Sequence, residues 1–514
     1  MKKLVSLLLA AMMLLSLVPA AMAEATEEID VMIWYRDIDD LNFQEMPYYN
    51  DPEIGITAQS GVKANFNQIK GADWSTKINL MLTSGEYPDV IVRGGLNLEM
   101  YGVDQEILLP LDDYIDQYMP NYKALLEADL DLAKSLRSSN GKMYQIGWII
   151  PQNINADGHL FINVDWLKAA GLEMPTTMDE YVNALRAFRD LDVDGDGDTT
   201  DEIPLGGTFI DIQNGVTNML RCFGVPTNNE YICLDDEGKA YSWLTCDGLR
   251  AGMETLSAWY AEGLIDIETV SQDYNAFEAK VNANDYGSFW RWRMTSMGTT
   301  PEVYEQYECM LPTAAQGYEV KIPLSMELPG FGAALTVAAV ENGKVEAVCK
   351  WLDAQFQWDN MISGYNGMYN EFWDYDENGM VDIWPMTDGT RTVPGQSSMY
   401  YCCGKDYFAQ VNMPSHRIEK TGYCNWYTEN GLLEKNSRQL LTTLSTKTVE
   451  EAQQLDLLRA EISKYAKEAL IQFMTKGVTD EGWNTYVKTL EDLRIAEFVQ
   501  IYQTAYERYL AANQ

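Results

Sequence analysis

The chain has 514 residues, which is too long for one compact core, so two or three domains are expected. Hydrophobic residues make up 46% of it and aromatic residues 11%, enough to fill large buried cores. The 77 acidic and 37 basic side chains leave a formal net charge of −40, a sign that repels nucleic acids, anionic membranes and phosphorylated solutes. The composition therefore argues against a nucleic-acid partner and suits a neutral ligand, although acidity also simply favours solubility.

The N-terminus has the pattern of a secretory signal peptide. A basic start precedes an apolar run from Leu4 to Met22, and the run ends in Ala21-Met22-Ala23, with small residues at −3 and −1. Pro19 and this small-residue exit argue against a membrane anchor. No other segment approaches the roughly 18 uninterrupted apolar residues of a transmembrane helix. We therefore expect residues 1–23 to be removed and the mature protein to be exported and soluble.

The first half of the chain alternates strand-like and helix-like segments. Short apolar runs predict strands at Ile29–Trp34, Val62–Phe66, Val90–Val92 and Leu160–Asn163. Helical periodicity predicts helices at Asp73–Leu82 and Asp165–Ala170. Thr177 and Glu180 form a capping box at the start of another helix. This alternation is typical of parallel sheets covered by helices.

The C-terminal segment differs in character. From Thr448 to Gln514 the chain reads as nearly continuous amphipathic helix, interrupted at Gly477 and at an Asp480-Glu481-Gly482 turn. The sequence has no internal repeat and no low-complexity linker. The domains are therefore expected to be joined by short crossings and not by a flexible tether.

The most specific chemistry lies in an acidic loop at residues 192–202. Aspartates occupy positions 1, 3, 5 and 7 of this loop, and glycine occupies position 6, as in the first half of an EF-hand-like calcium loop. The closing carboxylate belongs at position 12, where Ile203 stands. Glu202, at position 11, must then close the site, with Asp201 as the second choice.

The alternative interpretation of this loop is a solvated acidic turn. Five aspartates within ten residues repel one another without a cation, which favours a metal. We therefore predict a structural Ca²⁺ site formed by Asp192, Asp194, Asp196, Asp198 and Glu202. Two weaker acidic segments, Asp374–Gly379 and Asp235–Lys239, are interpreted as hairpin turns, with a metal as the alternative for the first.

Catalytic motifs are absent from the sequence. Its only two histidines, His159 and His416, are predicted to be structural, and there is no H-E-x-x-H, G-x-S-x-G or P-loop motif. Glycoside hydrolysis needs only two carboxylates, so the many acidic residues leave a secreted hydrolase open as an alternative. The eight cysteines include no C-x-x-C pair, and no disulfide pattern is predicted from them.

Short motifs follow one another along nearly the whole chain after the signal peptide. They are Ser84-Gly85-Glu86-Tyr87-Pro88-Asp89, Leu109-Pro110-Leu111-Asp112-Asp113-Tyr114-Ile115, Asn163-Val164-Asp165-Trp166-Leu167, the acidic loop, Tyr260-Ala261-Glu262-Gly263-Leu264-Ile265-Asp266 and Ile501–Tyr506. In this order they resemble extracellular solute-binding protein family 1, the sugar-binding proteins of ABC transporters, of the large Gram-positive lipoprotein-like type. Many members carry a lipobox cysteine at the cleavage site. This sequence has none, so the lipid anchor of those members is not predicted for it, and release, retention in a cell-envelope space and retention through the transporter are the alternatives.

The resemblance implies an α/β, two-lobe, periplasmic-binding-protein-like (type II) fold with a hinge and a C-terminal helical extension. We expect lobe 1 to comprise residues 24–150 plus about 285–340. Lobe 2 is expected to comprise about 151–284 plus 341–514, including the calcium-type loop and the C-terminal helices. Ligand that touches both lobes would favour the closed state.

The function implied by the resemblance is non-catalytic capture of a carbohydrate. The protein would act as a monomer, outside the cell or within its envelope, and deliver an oligosaccharide to an ABC transporter membrane permease. The alternatives are a binding protein for a peptide or another solute, a secreted carbohydrate hydrolase, and an adhesion or sensor module. A sugar-binding protein and a peptide-binding protein would both leave their ligand chemically unchanged, whereas a hydrolase would not.

Sugar recognition needs flat apolar faces for C–H groups and polar groups for hydroxyls. Aromatic residues near strand ends are the candidates for the apolar faces: Trp34, Tyr35, Trp148, Trp290, Trp292 and Tyr365. Asp89, which the family places at the cleft, is the candidate acceptor of a sugar hydroxyl. Arg291 and Arg293 leave a uronic-acid oligosaccharide open as an alternative ligand.

Overall fold

The computed structural model describes residues 27–35, 41–128, 130–147, 155–156, 158–193, 195, 197–198, 201–211, 213–292, 294, 299–325, 332–383, 410–412, 426–427, 429–432 and 447–512. The predicted signal peptide at residues 1–23 lies outside them. Within these ranges, no helix is both long enough and apolar enough to cross a bilayer.

The described residues combine short strands with helices of up to eight turns. The strands are β1 (Glu27–Tyr35), β2 (Val62–Lys70), β3 (Val90–Val92), β4 (Asn155–Ala156), β5 (His159–Asn163), β6 (Ile203–Gly206), β7 (Cys233–Leu234), β8 (Ala240–Tyr241), β9 (Tyr286–Arg291), β10 (Tyr307–Met310), β11 (Leu324–Ser325), β12 (Ala333–Leu335), β13 (Trp373–Tyr375), β14 (Val381–Ile383) and β15 (Val411–Asn412).

The α-helices are α1 (Pro47–Asn50), α2 (Ile56–Ser60), α3 (Gly71–Ser84), α4 (Asp112–Tyr118), α5 (Pro120–Ala128), α6 (Leu130–Ser135), α7 (Val164–Ala169), α8 (Met178–Asp190), α9 (Gly248–Glu262), α10 (Tyr274–Ala283), α11 (Pro301–Tyr304), α12 (Val337–Glu341), α13 (Val345–Ala354), α14 (Trp358–Asn366), α15 (Val449–Lys476), α16 (Asp480–Asp492) and α17 (Ile495–Ala512). Short 3-10 helices span Phe43–Glu45, Val216–Phe223, Trp243–Thr245 and Ile267–Val270, and a π-helix spans Glu99–Asp104.

The first sheet places β1 between two parallel neighbours. Its strand order is β12–β3–β1–β2, with β12 antiparallel to β3. Parallel strands are covered on both faces, which explains why β3 is the uninterrupted apolar run Val-Ile-Val. Helix α3 covers one face, where Ile78 and Met81 pack with Met32 and Ile91. The opposite face builds a larger core with members from residues 29–146 and 333–368.

The second sheet has the order β10–β5–β9–β6, in which β5 is antiparallel to both of its neighbours and β6 is parallel to β9. All five residues of β5 are buried. The predicted capping box is confirmed at the start of α8, where Thr177 Oγ1 accepts from the backbone N–H of Glu180 at 3.2 Å. The core beside this sheet draws on residues 160–315 and 455–502.

Two antiparallel crossovers connect the lobes. The segment between Ile146 and His159 links the two sheets, and β4 within it pairs with β11 of the returning segment. The return ends at Ala333, which exchanges backbone hydrogen bonds with Ile146 at 2.7 and 3.0 Å. Gly332 sits where a Cβ would lie 2.1 Å from the carbonyl oxygen of Ile146, so this close approach requires glycine.

The strand pairing differs from the boundaries predicted for the lobes. Strands β9 and β10 were expected in lobe 1, but both hydrogen-bond with β5 in the second sheet. Helix α13 was expected in lobe 2, but Trp351 and Leu352 lie in the first core. Strand pairing joins residues more than 100 positions apart, which local patterns do not reveal. We propose that lobe 1 comprises residues 27–146 plus 333–368, and that lobe 2 comprises 159–322 plus 447–512.

The C-terminal helices belong to the core of the second lobe. Helix α15 packs on α9 and ends at Gly477, as predicted. The predicted turn at residues 480–482 is wrong, because these residues form the first turn of α16. Thr479 caps that turn by accepting a hydrogen bond from the N–H of Gly482. Both other acidic segments form hairpin turns as predicted, between β7 and β8 and between β13 and β14.

Candidate functional site

The carboxyl edge of the first sheet contains a topological switch point. From β1 the chain forms β2 on one side and then crosses to β3 on the other. Ligands of open α/β sheets bind outside the carboxyl ends of the strands at such a point. Ile33 of β1 is aligned with Val92 of β3, so the next residues, Trp34 and Arg93, face each other across the switch point.

Trp34 and Arg93 form a stacked pair at this edge. The guanidinium carbon of Arg93 lies 5.2 Å from the ring centroid of Trp34, within cation–π range, and both side chains are half-buried. Arg93 has a φ of 60°, in the left-handed region that side chains other than glycine rarely adopt. Its backbone N–H donates to the carbonyl oxygen of Gly332 at 2.9 Å. The pair is therefore tied to the crossover that returns from the second lobe.

Surrounding aromatic residues fix this edge in place. The indole N–H of Trp74 donates to the carbonyl oxygen of Gly94 at 2.9 Å and so anchors the loop that follows Arg93. Tyr49 is buried beneath the edge. Burial raises the pKa of Tyr49, and the positive charge of Arg93 acts in the opposite direction. The phenol therefore stays neutral at physiological pH.

The second sheet brings β9 to the same crossover. Arg291, the last residue of β9, pairs with His159, which directly follows the crossing segment. The Arg291 guanidinium is buried and forms an ion pair with Glu278 of α10, and its Nε donates to Oε1 of Glu278 at 3.1 Å. Burial raises the pKa of the neighbouring Tyr274, and the Glu278 carboxylate raises it further. Arg291 is thus engaged within the protein, which removes it as a candidate for binding a uronic acid.

Several predicted ligand residues are buried in the protein core. Asp89 is 3% exposed, and its carboxylate accepts hydrogen bonds from the N–H of Asp30 and from Asn342 Nδ2, each at 2.9 Å. Trp290 is fully buried, and its indole N–H donates to the sulfur of Met219. Tyr35 packs edge-on against Phe43. Because these side chains are buried, we leave all three out of the proposed ligand site.

The remaining predicted aromatic residues have different positions. Trp292 follows β9 and is half-buried. Trp148 and Arg293 lie outside the described residues, as does the side chain of Tyr365. Arg93 was not singled out from the sequence. The signal that would have found it is an arginine between a buried Val-Ile-Val strand and two glycines, at the carboxyl end of that strand.

The histidine and the cysteines that the structure describes show no arrangement typical of catalysis. His159 is buried, and its ring lies 5.3 Å from that of Tyr427, in agreement with the structural role predicted for it. His416 lies outside the described residues. Five of the cysteines are described by the structure, and none of these five is in a disulfide: Cys222, Cys233, Cys246, Cys309 and Cys349.

The acidic loop has the turn geometry expected of the predicted site. The Asp192 carboxylate accepts from the N–H groups of Gly195 and Gly197 at 2.8 and 3.1 Å. Both glycines have positive φ, 83° and 96°, which permits the tight loop. Glu202 is buried, and its Oε1 accepts from the N–H of Val193 at 3.0 Å, which draws the end of the loop back to its start.

The other predicted ligands in this loop are Asp194 and Asp196, which lie outside the described residues, and Asp198, which is exposed. Among the residues with described placement, no three acidic, histidine or cysteine side chains gather closely enough to hold a metal ion. The two described carboxylates that bracket the loop, Asp192 and Glu202, supply the hard oxygen donors that calcium prefers. Asp192 and Glu202 are therefore compatible with a bound calcium ion.

The described residues form two α/β lobes joined by paired crossovers, with a polar and aromatic edge beside the junction. A profile of the bacterial extracellular solute-binding protein family matches residues 51–212. The fructooligosaccharide ABC transporter substrate-binding protein FusA of Streptococcus pneumoniae is 24% identical over 480 residues, covering 89% of this chain and 86% of its own. The chain thus resembles that family over residues 51–212 and is similar to FusA over most of its length.

Solved structures share the fold over almost the whole length. FusA in complex with kestose superposes with a TM-score of 0.81 at 22% identity, covering 94% of this chain and 100% of that one. An EF-hand mutant of FusA with fructo-nystose gives 0.80 at 21% identity and 94% coverage of this chain. A solute-binding protein of Bifidobacterium longum infantis described as binding HMO gives 0.78 at 20% identity, with 94% and 99% coverage. The two-lobe α/β fold is therefore confirmed.

Proposed function

We propose that this protein is the extracellular substrate-binding component of an ABC importer and captures an oligosaccharide by hinge closure. The observation that carries this proposal is the Trp34–Arg93 pair at the switch point beside the crossovers. An indole offers a flat apolar face to the C–H groups of a sugar ring. The names of the relatives, which refer to fructooligosaccharide and kestose, support a carbohydrate ligand.

The way the two lobes are connected supports the proposed hinge closure. The paired crossovers β4 and β11 allow the lobes to rotate about a short antiparallel segment. Ligand that contacts both lobes stabilises the closed state by its difference in affinity for the two states. A membrane permease that recognises the closed form would then receive only loaded protein. The protein acts in this scheme as a monomer without catalytic activity.

Export completes the proposed function. Cleavage after Ala23 would release a mature chain that begins at Glu24. The protein would then be extracellular or associated with the cell envelope. A net charge of −40 for the full chain favours a neutral solute over an anionic one.

Thermal unfolding against a panel of sugars tests the proposed function. In calcium buffer we expect one class of neutral oligosaccharide to raise the unfolding temperature, because binding to the native state alone stabilises it. The ligand recovered after unfolding should be chemically intact. Shifts with peptides alone would instead support the peptide-binding alternative, and recovery of shortened glycans would support a hydrolase.

We also propose that the acidic loop binds a structural Ca²⁺ ion through Asp192, Asp194, Asp196, Asp198 and Glu202. Support comes from the turn geometry of Asp192 and from the buried Glu202, which returns to the start of the loop. One solved structure of FusA is described as an EF-hand mutant, which supports this interpretation of the loop. Bound calcium would neutralise the repulsion among these carboxylates and hold the loop after α8.

Calcium removal tests the proposed Ca²⁺ site in the acidic loop. A chelator is expected to lower the free energy of unfolding by about 2.7 kcal/mol from its value at a free calcium concentration of 100 times the dissociation constant. Asp192→Asn should abolish this response, because it removes a charged ligand, and the single amide oxygen can keep only one of the two turn hydrogen bonds. Asp376→Asn is the matched control, because the Asp376 carboxylate also accepts two backbone N–H groups in a tight turn. An equal response in both variants would contradict the proposed site.

A further inference from the structure

We propose that Tyr274 is a ligand-contacting residue of the second lobe, whose exposed ring stacks on the C–H face of a neutral sugar ring. This inference rests on the proposed carbohydrate capture and names the residue with which the second lobe contacts the ligand. Three observations carry it: the position of Tyr274 at the carboxyl edge of the second sheet, the exposure of its ring and the anchoring of its hydroxyl.

The carboxyl edge of the second sheet faces the crossovers between the lobes. Arg291 ends β9 and is paired with His159, the first residue of β5 after the outgoing crossover. Strand β6 is parallel to β9, so it ends at the same edge, at Gly206. Ligands of α/β sheets bind outside the carboxyl ends of parallel strands. A ligand held between the lobes therefore meets the second sheet at this edge.

The first turn of α10 lies beside this edge. Glu278 of this helix forms an ion pair with Arg291, so α10 runs back along β9 and its N-terminus lies near the carboxyl end of the strand. Tyr274 is the first residue of the helix. Gln272, two residues earlier, donates to the carbonyl oxygen of Gly207, the residue that follows β6, at 2.6 Å. These two contacts place Tyr274 beside the carboxyl ends of both β6 and β9.

The ring of Tyr274 is exposed to solvent. Among the aromatic side chains that the structure describes, only Tyr274 and Tyr375 are exposed, at 37% and 38%. An aromatic ring presents a flat apolar face that the C–H groups of a sugar can cover. Tyr375 lies on the β13–β14 hairpin, where it packs edge-on against Trp373, and belongs to neither of the two large sheets. Exposure together with position at the carboxyl edge therefore distinguishes Tyr274.

The hydroxyl of Tyr274 is held by the protein, which orients the ring. Burial of the hydroxyl raises the pKa of Tyr274, and the Glu278 carboxylate, with which the hydroxyl interacts, raises it further. Glu278 is itself fixed by its ion pair with Arg291. A ring that is already oriented loses less conformational entropy when a ligand stacks on it. The engaged hydroxyl thus favours binding through the face of the ring.

The surroundings of Tyr274 favour a neutral sugar over an anionic one. Asp211, in the loop that follows β6, also raises the pKa of Tyr274 and so lies close enough to act on its hydroxyl. The charges of Arg291 and Glu278 offset each other in their ion pair. The Asp211 carboxylate therefore leaves a negative charge beside the ring, which opposes a carboxylated sugar.

Replacement of Tyr274 by alanine tests this assignment. The ligand is the neutral oligosaccharide that gives the largest shift in the unfolding panel, and calorimetry measures its affinity. We expect Tyr274→Ala to weaken binding about 10- to 30-fold, because the flat apolar face is lost. Tyr274→Phe keeps the ring and should bind within about threefold of wild type. Both variants should unfold close to the temperature of the wild-type protein, because the side chain is exposed.

Tyr375→Ala is the matched control. Tyr375 is equally exposed, and its hydroxyl also donates to a carboxylate, that of Asp359. The control should change the affinity less than about twofold, because its position is distant from the carboxyl edge of the second sheet.

The variants separate the assignment from the proposed function. Equal affinity of wild type and Tyr274→Ala would overturn the role of Tyr274 and leave carbohydrate capture intact. The role would also be overturned if Tyr274→Phe bound as weakly as Tyr274→Ala, because the hydroxyl and not the ring would then matter. A wild-type protein that binds no sugar would overturn both proposals. Tighter wild-type binding of a uronic-acid oligosaccharide than of any neutral one would contradict the preference for a neutral ring.

Discussion

Replacing Glu278 by glutamine is expected to lower the free energy of unfolding by about 3–5 kcal/mol. Arg291, at 1% exposure, would then carry a buried charge without its carboxylate partner. The hydrogen bonds that Arg291 donates to the Met294 carbonyl and to Thr299 satisfy donors but do not neutralise the charge. Urea unfolding of wild type and variant, monitored at constant calcium concentration, measures the difference.

Glu497→Gln serves as the control for this experiment. Glu497 forms an ion pair with Arg494, but their side chains are 36% and 57% exposed, so solvent already screens the pair. The expected loss is about 0–1 kcal/mol. Changing both buried partners, as Arg291→Met with Glu278→Leu, should restore much of the stability, because no buried charge remains. Equal losses from Glu278→Gln and Glu497→Gln would contradict the buried ion pair.

Trp290→Ala is expected to cost about 3–5 kcal/mol of stability. The indole is fully buried in the core of the second lobe, where its N–H donates to the Met219 sulfur and the Arg221 guanidinium lies 5.0 Å from the ring. Removal leaves a large cavity and eliminates both contacts. Affinity for the selected oligosaccharide, measured below the unfolding transition, should stay within about twofold of wild type, since the ring is covered by protein.

The control for Trp290→Ala is Leu457→Ala on the surface of α15, where the Leu457 side chain is 72% exposed. We expect this substitution to change the free energy of unfolding by less than about 0.5 kcal/mol. A Trp290→Ala protein that is as stable as wild type but has lost its ligand would reverse the interpretation. Trp290 would then belong to the binding site, as the sequence alone indicated.

The elements predicted correctly depend on local chemistry. The Thr177–Glu180 capping box, the Val90–Val92 strand and the end of a helix at Gly477 are each determined by residues within a few positions of one another. Hydrogen-bonding side chains at a helix start, β-branched runs and positive φ at glycine act over this short range. The same locality explains why the acidic loop could be predicted, since its ligands lie within eleven consecutive residues.

The candidate ligand site depends on contacts that are distant in the sequence. The sequence made Trp290 and Trp292 equally good candidates for a ligand-binding aromatic residue. The packing of β9 distinguishes them, because it buries Trp290 completely and leaves Trp292 half-buried. The position of Arg93 results from the pairing of β3 with β1 and from a backbone hydrogen bond to Gly332, which lies 239 residues later in the sequence. No local pattern contains these relations.

The sequence by itself determined the α/β alternation, the helix caps, the hairpin turns, the predicted calcium loop and the resemblance to a binding-protein family. These features follow from propensities and spacings that operate within one turn or one strand. The tertiary structure decided which segments share a sheet, the division of residues between the lobes and the surroundings of each candidate side chain. These depend on strand pairing and core packing between distant segments, because the free energy of burial is insensitive to separation along the chain.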